Sequence, residues 1–387
     1  MSSRRMSKLL YFSSSAVGGL ADYAHEQANA LAQVGVEVEM LTTTEHSRTP
    51  DAKYKVCAAL VHSGSRPRPR IIQRLASARC IIKNFKMLDR QIREKGYKAV
   101  LLGSYSEYLA PLWSKSLHTL ADSGVVFGAV CHDPVRDYVV GPLWWHRRSI
   151  AAGYSFLREA FVHEQIELDT VRPMPRLKTT VIPHGPYRFP EPNRSRAQVR
   201  RDWGVPGDAP VALSFGHIRD GKNLDLILRA MPDFARLHLV VAGKEQSGGQ
   251  KPIAYYRDLA GKLGVENRCR WVYGHVPQEE VGNLFVGSDF FVLTYSRDFR
   301  SASGVLNAGV AYRKPCLASS GGGSLRSVVE RYRLGWFIQP DSLPALKFGL
   351  AAALKGGIDP QWSTYESENS WGKNASLVKQ RMFEHPA

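Results

Sequence analysis

Two cations and a Ser-Gly turn are the residues in this sequence best suited to chemistry. The stretch "FGHIRDGKNLDLILRA" sets Arg219 and Lys222 after an apolar run that reads as a strand and before an amphipathic helix. Arg offers a planar fork and Lys a compact point charge, the combination a diphosphate needs; the plainer alternative is two solvated loop cations. In "FRSASGVLNAGVAYRKP" the apolar run reads as a helix whose first turn holds Ser303, Gly304 and Val305. Amides in such a turn lack intrahelical acceptors, Ser caps them, Gly admits a close ligand, and no acid stands there to repel an anion. Gly18 and Gly19 open an earlier helix, as a site for a phosphate or substrate edge or simply as a tight turn. The "GGGS" stretch at 321–324 precedes another helix and reads equally as an ordinary loop. His132, in "VCHDP", ends an apolar strand beside Asp133, facing a predicted cleft. It touches either substrate or a structural hydrogen-bond partner. His163 and His184 read as structural.

These residues need rigid elements to hold them. The opening "KLLYFS", "AVGGL", "ADYAHEQANALAQVG" and "VEVEMLTT" form a strand, a turn, a helix with Ala21, Ala24, Ala28, Leu31 and Ala32 at helical spacing, and a second strand. Further strands are expected at "AVLLGS", "VVFGAVCHD" and "EAFVHE". After the proline-rich and charged "LKTTVIPHGPYRFPEPNRSRAQVRRDWGVPGDAP", strand and helix alternate again from "VALSFGHI" to "LRSVVERYR". The expected fold is α/β, with two Rossmann-like, doubly wound parallel-sheet domains facing across a cleft. Ligands in such sheets sit beyond the carboxyl ends of the strands. The expected boundaries are 1–187, 188–358 and a tail at 359–387 that packs back on the first domain.

At 387 residues the chain is long enough for two domains, and 44% hydrophobic residues suit a globular protein. Its five cysteines lie far apart with no partner at ligand spacing, so neither a zinc site nor a disulfide framework is indicated, and a cytoplasmic location is expected. The "LLYF" run is too short for a signal peptide, and no apolar stretch is long enough to span a bilayer. The net charge of +17 is concentrated: from Lys53 to Lys98 there are thirteen Lys/Arg against Asp89 and Glu94. Within that segment a helix is expected after Pro69. Ala78, Ile81, Phe85, Leu88 and Ile92 share one face, and Arg79, Lys83, Lys86, Arg90 and Arg93 share another. That cationic stripe is either a solvated face or an attraction to an anionic surface, lipid headgroups or nucleic acid. Nucleic acid loses ground because no binding motif accompanies the charge.

Taken together, the stretches "GGLADYAHEQANALAQVGVEVEMLTT", "VCHDP", "VIPHG", "FGHIRDGKNLDLILRA", "VVAGK", "VYGHVPQEEVGNLFVGSDFFVLTY" and "ASGVLNAGVAYRKPCLASSGGG" resemble, in order, the retaining GT-B glycosyltransferases, a large group that includes bacterial mannosyl- and glucosyltransferases. The resemblance implies a nucleotide-sugar donor and a saccharide or lipid-linked acceptor, with Arg219 and Lys222 on the donor's diphosphate and Ser303, Gly304 and Val305 giving it hydroxyl and amide donors. It also implies Gly243 in the donor site, Gly18 and Gly19 at the donor–acceptor junction, and His132 near the transferred sugar. No metal or other cofactor is implied. The helix stripe would serve a peripheral position on the cytoplasmic membrane. One departure stands out: many members carry two Glu where this chain has Arg300 and Ala308. A catalytically silent GT-B protein is therefore the second reading. A dinucleotide oxidoreductase lacks its fingerprint here.

Overall fold

The computed structural model describes residues 7–15, 17–46, 51–62, 69–132, 134, 139, 141–187, 189–245, 250–300 and 303–384. The chain forms two compact units, Met1–Gly185 with Asn369–Ala387, and Pro186–Glu368. The first crossing falls two residues before the expected boundary. The return at residue 369 leaves 359–368 in the second unit, so the tail joins the first unit later than expected.

The first unit runs β1 (Ser7–Ser13), α1 (Gly19–Gln33), β2 (Val36–Thr43), β3 (Lys55–Leu60), α2 (Arg70–Lys95), β4 (Ala99–Ser104), α3 (Ala110–Asp122), β5 (Val126–Val130), α4 (Leu143–Tyr154), β6 (Glu159–Val162) and β7 (Lys178–Val181). All pairings are parallel, in the order β3-β2-β1-β4-β5-β6-β7. A parallel sheet covered on both faces needs continuous apolar strands. Accordingly Leu9, Leu10, Tyr11 and Phe12 of β1 are all buried. On α1, Ala21, Ala24, Ala28 and Leu31 are buried at the expected helical spacing. On α2, Phe85, Leu88 and Ile92 face the core, while Arg79, Lys83, Lys86, Arg90 and Arg93 are exposed. Strands β3 and β7 were not expected: β3 is an edge strand inside the basic segment, and β7 is an edge strand inside the stretch expected to be a linker.

The second unit runs α5 (Arg196–Trp203), β8 (Val211–Phe215), α6 (Leu224–Ala230), β9 (His238–Gly243), α7 (Ile253–Lys262), β10 (Cys269–Tyr273), α8 (Gln278–Gly287), β11 (Phe290–Thr294), α9 (Gly304–Ala311), β12 (Cys316–Ser319), α10 (Ser324–Arg331), β13 (Gly335–Phe337), α11 (Leu343–Lys355) and α12 (Trp362–Glu368). Its parallel sheet is ordered β10-β9-β8-β11-β12-β13. Each sheet reverses strand order once, at β1/β4 and at β8/β11, and such a switch point is where an open α/β sheet leaves a crevice for a ligand. Buried Arg200 locks α5 to this sheet by donating to the carbonyls of Gly287, Gly207 and Ala209 and to Asp289.

The last helix, α13 (Trp371–Lys379), belongs to the first unit and packs on α1. Its Asn374, fully buried, accepts from Gln27 Nε2 at 2.8 Å and donates to Pro183 O at 2.8 Å and Tyr23 Oη at 3.0 Å. Trp371 lies so close to Gly185 that a Cβ there would come within 2.5 Å of the indole. No helix among the described residues is long and apolar enough to cross a membrane.

Candidate functional site

At the β8/β11 switch point the local fold is built around glycine. Gly216 leaves β8 with φ 89°, and a Cβ on Gly243, at the end of β9, would sit 2.1 Å from the Gly216 carbonyl oxygen. Only glycine permits that approach, which gives Gly243 a structural reason. The chain then makes a single 3-10 turn, Asp220–Lys222. Three contacts pin it: the Thr294 hydroxyl donates to Lys222 O at 2.7 Å, Ser296 N–H donates to Gly221 O at 2.9 Å, and Asn223, in the left-handed region, donates to Asp341 at 2.8 Å.

Lys222 does not project freely. Although the residue is partly exposed, its ammonium is buried and donates to Phe215 O at 2.6 Å. Burial, and then the neighbouring Arg219, push its pKa down to about 7. A Cβ on Gly216 would lie 3.3 Å from both Lys222 Nζ and Val305 Cγ2, so the ammonium and the first turn of α9 meet over that glycine. The Arg219 guanidinium lies 5.9 Å from the Tyr295 ring centroid and 5.6 Å from that of Phe299, two rings stacked 3.9 Å apart. Tyr295 Oη in turn hydrogen-bonds Ser303 Oγ at 2.9 Å. Arg219, Lys222 and the start of α9 therefore share one crevice within the second unit.

Ser303 is the N-cap of α9, accepting from Leu306 N at 3.2 Å, and it is buried. Ser303 Oγ thus serves as the cap and shares a hydrogen bond with Tyr295 Oη, while the amides of Gly304 and Val305 follow as first-turn donors. Tyr187 Oη lies 3.5 Å from where a Gly304 Cβ would stand. His217 has a pKa below its ordinary value, through burial and then the charges of Lys222, Lys244 and Arg219. The nearby acid Asp220 is taken up by Lys251 N at 3.0 Å and the Tyr256 hydroxyl at 3.1 Å. The result is a crevice of cations and amides suited to a polyanion. Of the two positions where acids were missing, Ala308 is buried and Arg300 exposed. The loop at 321–323 presses on the backbone of 297–300, with Gly321 against Arg297 O and Gly323 against Arg300 O.

In the first unit, Gly18 caps α1 with φ 84° and no side-chain cap, its carbonyl accepting from Ala21 N at 2.8 Å. At the β1/β4 switch point of this unit Ser15 Oγ lies 3.3 Å from Ser104 Oγ. His132 Nε2 donates to Gly103 O at 3.1 Å, and burial followed by His184 lowers its pKa to about 4. His163 and His184 are lowered to about 3 by the same kind of burial and mutual repulsion. All three rings surround Tyr23, with centroids 4.7, 5.3 and 5.0 Å from it. His132 is thus a neutral imidazole in an aromatic cluster; Asp133 lies outside the described residues. Sequence reasoning missed Tyr295, Phe299 and Tyr187, whose aromatic character at strand ends and in linkers is indistinguishable from core packing.

Comparison with known proteins adds similarities to this geometry. Residues 195–378 match the model of the glycosyl transferases group 1 family. A D-inositol 3-phosphate glycosyltransferase of Stackebrandtia nassauensis is 28% identical over 271 residues, 64% of this chain and 60% of that protein. The chain spans only 27% and 31% of the lengths of two further relatives of that name. Among solved structures, a glycosyltransferase from Rickettsia africae superposes with a TM-score of 0.71 at 15% identity, over 98% of this chain and 100% of that one. Anabaena HepE in complex with UDP gives a TM-score of 0.61 at 14% identity, covering 97% and 95%. The matched segment 195–378 holds the cationic crevice, and that part of the chain is similar to the glycosyl transferases group 1 family, while the solved structures share the fold.

Proposed function

We propose that this protein transfers a hexose from a nucleotide-sugar to a saccharide or lipid-linked acceptor with retention of configuration, in glycolipid or polysaccharide assembly. The observation that carries the reading is the crevice at the β8/β11 switch point, where Lys222, Arg219 and the amides of Gly304 and Val305 converge with no acid opposing them. The donor's diphosphate would occupy it. A fold neighbour in complex with UDP, and the same neighbour in complex with UDP-glucose, support that ligand class.

In this reading the bond from the sugar's anomeric carbon to the diphosphate oxygen breaks on the face that the acceptor hydroxyl approaches. The new glycosidic bond forms there, and the acceptor's proton passes to the departing phosphate oxygen. Lys222 and Arg219 stabilise the charge that builds on that oxygen, an effect typically worth several kcal/mol. Gly18, Gly19 and His132 serve the acceptor side, the neutral imidazole accepting a sugar hydroxyl through Nδ1. The reaction takes place in the cytoplasm, in keeping with free thiols at all five cysteines. Relatives named for D-inositol 3-phosphate make a phosphorylated polyol a further acceptor to assay.

The test is melting of the full chain against UDP-, GDP- and ADP-sugars, followed by turnover with the donor that stabilises it. Lys222→Ala should lower kcat by about 100-fold or more while acceptor KM barely moves. Unchanged turnover would remove the assignment. Ala308 and Arg300, standing where many relatives carry acids, favour the silent reading as second. Donor binding without hydrolysis or transfer on any acceptor would establish it.

A further inference from the structure

One carboxylate, from a loop that supplies none of the crevice's cations, touches both loops that do form the crevice. Asp341 Oδ1 accepts from Asn223 Nδ2 at 2.8 Å, and Asn223 is the residue directly after Lys222. Asp341 Oδ2 accepts from Arg297 N at 3.0 Å and from Arg297 Nε at 3.1 Å. Arg297 lies between Tyr295 and Phe299, the two rings beside the Arg219 guanidinium. Asp341 therefore joins the turn that carries Lys222 to the loop that carries those rings.

The topology makes this contact a long reach. In the order β8-β11-β12-β13, the strand before Asp341 stands three places from β8, roughly 14 Å at about 4.8 Å per strand. The segment 338–341 comes back across the carboxyl edge of the sheet to meet Asn223. Both bonded residues also hold an uncommon backbone. Asn223 at φ 51° and Asp341 at φ 55° lie in the left-handed region, where non-glycine residues persist only if their surroundings hold them. Asp341 is anchored from behind, since the next residue, Ser342, caps α11 by accepting from Ala345 N at 3.3 Å. Its carboxyl stays below the ordinary carboxylate value: burial alone would raise it, and the Arg297 N–H, the Asn223 amide and the Arg297 guanidinium outweigh that. Stability does not account for the arrangement. The side chains of Arg297 and Asp341 are 70% and 26% exposed, and an ion pair that open adds little to folding.

We propose that Asp341 is a positioning residue of the diphosphate crevice, holding the Lys222 turn and the loop 295–299 at a fixed separation so that Lys222 and Arg219 address one phosphate pair. This role rests on the nucleotide reading above and extends it to a third loop. Both carboxylate oxygens are taken by protein donors, so the effect runs through Asn223 and Arg297 and not through contact with the ligand. When either arm opens, the two cations lose their common target, and misplacement on the ångström scale weakens binding and turnover steeply.

Asp341→Gly removes the carboxylate and leaves a residue at ease at φ 55°, and Asn223→Gly does the same for its partner. Calorimetric titration with UDP and with GDP reads binding alone. Asp341→Gly should raise the Kd of the nucleotide that binds at least about fivefold in the parent chain, but only about twofold when Lys222 is already Ala, because the brace acts largely through that lysine. Asn223→Gly, which leaves Arg297 bound, should raise it at least about twofold, and this milder variant carries the test if Asp341→Gly does not fold. Asp233→Asn, which breaks the ion pair to Lys347 of α11 away from the crevice, should leave the Kd within about twofold of the parent value. Hydrogen exchange read by mass spectrometry locates the effect without ligand: Asp341→Gly should speed exchange in both 219–223 and 295–300, and Asn223→Gly chiefly in the first. A Kd unmoved by both glycine variants, an equal loss with and without Lys222, an equal loss from Asp233→Asn, or faster exchange confined to α11 overturns the proposal and leaves the nucleotide reading standing. A parent chain that binds neither UDP nor GDP overturns both.

Discussion

The side chain that concentrates the chemistry is Lys222. Its ammonium is held near half-protonation at neutral pH by burial and by Arg219. An incoming diphosphate favours the charged form and raises that pKa again. Binding and protonation are then linked, with a definite sign: below about pH 7 the free protein is already protonated and affinity is flat, and above it each pH unit weakens UDP binding by up to about tenfold. Calorimetric titration of UDP from about pH 6 to about pH 9 checks this, and Lys222→Arg, with its far higher pKa, should flatten the curve. A flat curve for the parent chain would mean that the ammonium does not meet the phosphates. Arg219 and Lys222 stood out in the sequence because they fall between an apolar strand and an amphipathic helix, although two such cations read equally as solvated loop residues. The rings that hold Arg219 did not, because Tyr295 and Phe299 read as ordinary core aromatics until the loop after β11 is seen folding them over the guanidinium. Ser303 was read as a cap as well as a ligand, and the fold shows it in the first role.

Among the elements, the strand ends decide the shape of the crevice. Gly243→Ala would drive a methyl into the Gly216 carbonyl at 2.1 Å and would require φ near +148° of a residue with a Cβ. A loss of about 2 kcal/mol or more is expected, seen as a lower melting temperature, together with weaker nucleotide binding because the turn carrying Lys222 shifts. The reverse outcome, a stable variant that only loses binding, would mean that Gly243 touches ligand directly. Helices α1 and α9 and the inner half of α2 were readable from helical spacing. Strands β3, β7 and β13 were not: each lies at a sheet edge, and β7 and β13 have only four and three residues. Short strands exposed along one side lose the apolar continuity that identifies β1 or β8.

For the molecule as a whole, the first unit is assembled from both ends of the chain. Asn374 fastens the returning segment by meeting Gln27, Tyr23 and Pro183 O in a fully buried network. Asn374→Ala strands those partners without water, and a cost of about 2–4 kcal/mol is expected. Urea unfolding followed by Trp371 fluorescence should show the first unit melting earlier, while nucleotide binding by the second keeps its midpoint. Equal shifts in both would mean that the two units unfold as one. The two-sheet plan was visible in the alternation of strands and helices, but the sites of crossing were not, because the segment expected to link the domains contributes β7 to one unit and α5 to the other.

That discontinuity also bears on how the protein emerges from the ribosome. Residues 186–368 form an uninterrupted stretch, so the second unit has everything it needs before translation ends. The first must wait with the surface of α1 that receives α13 uncovered until Trp371–Lys379 has been made. Synthesis from the amino terminus ordinarily lets the leading domain finish first; here the interrupted leader is completed after the unit inserted in it.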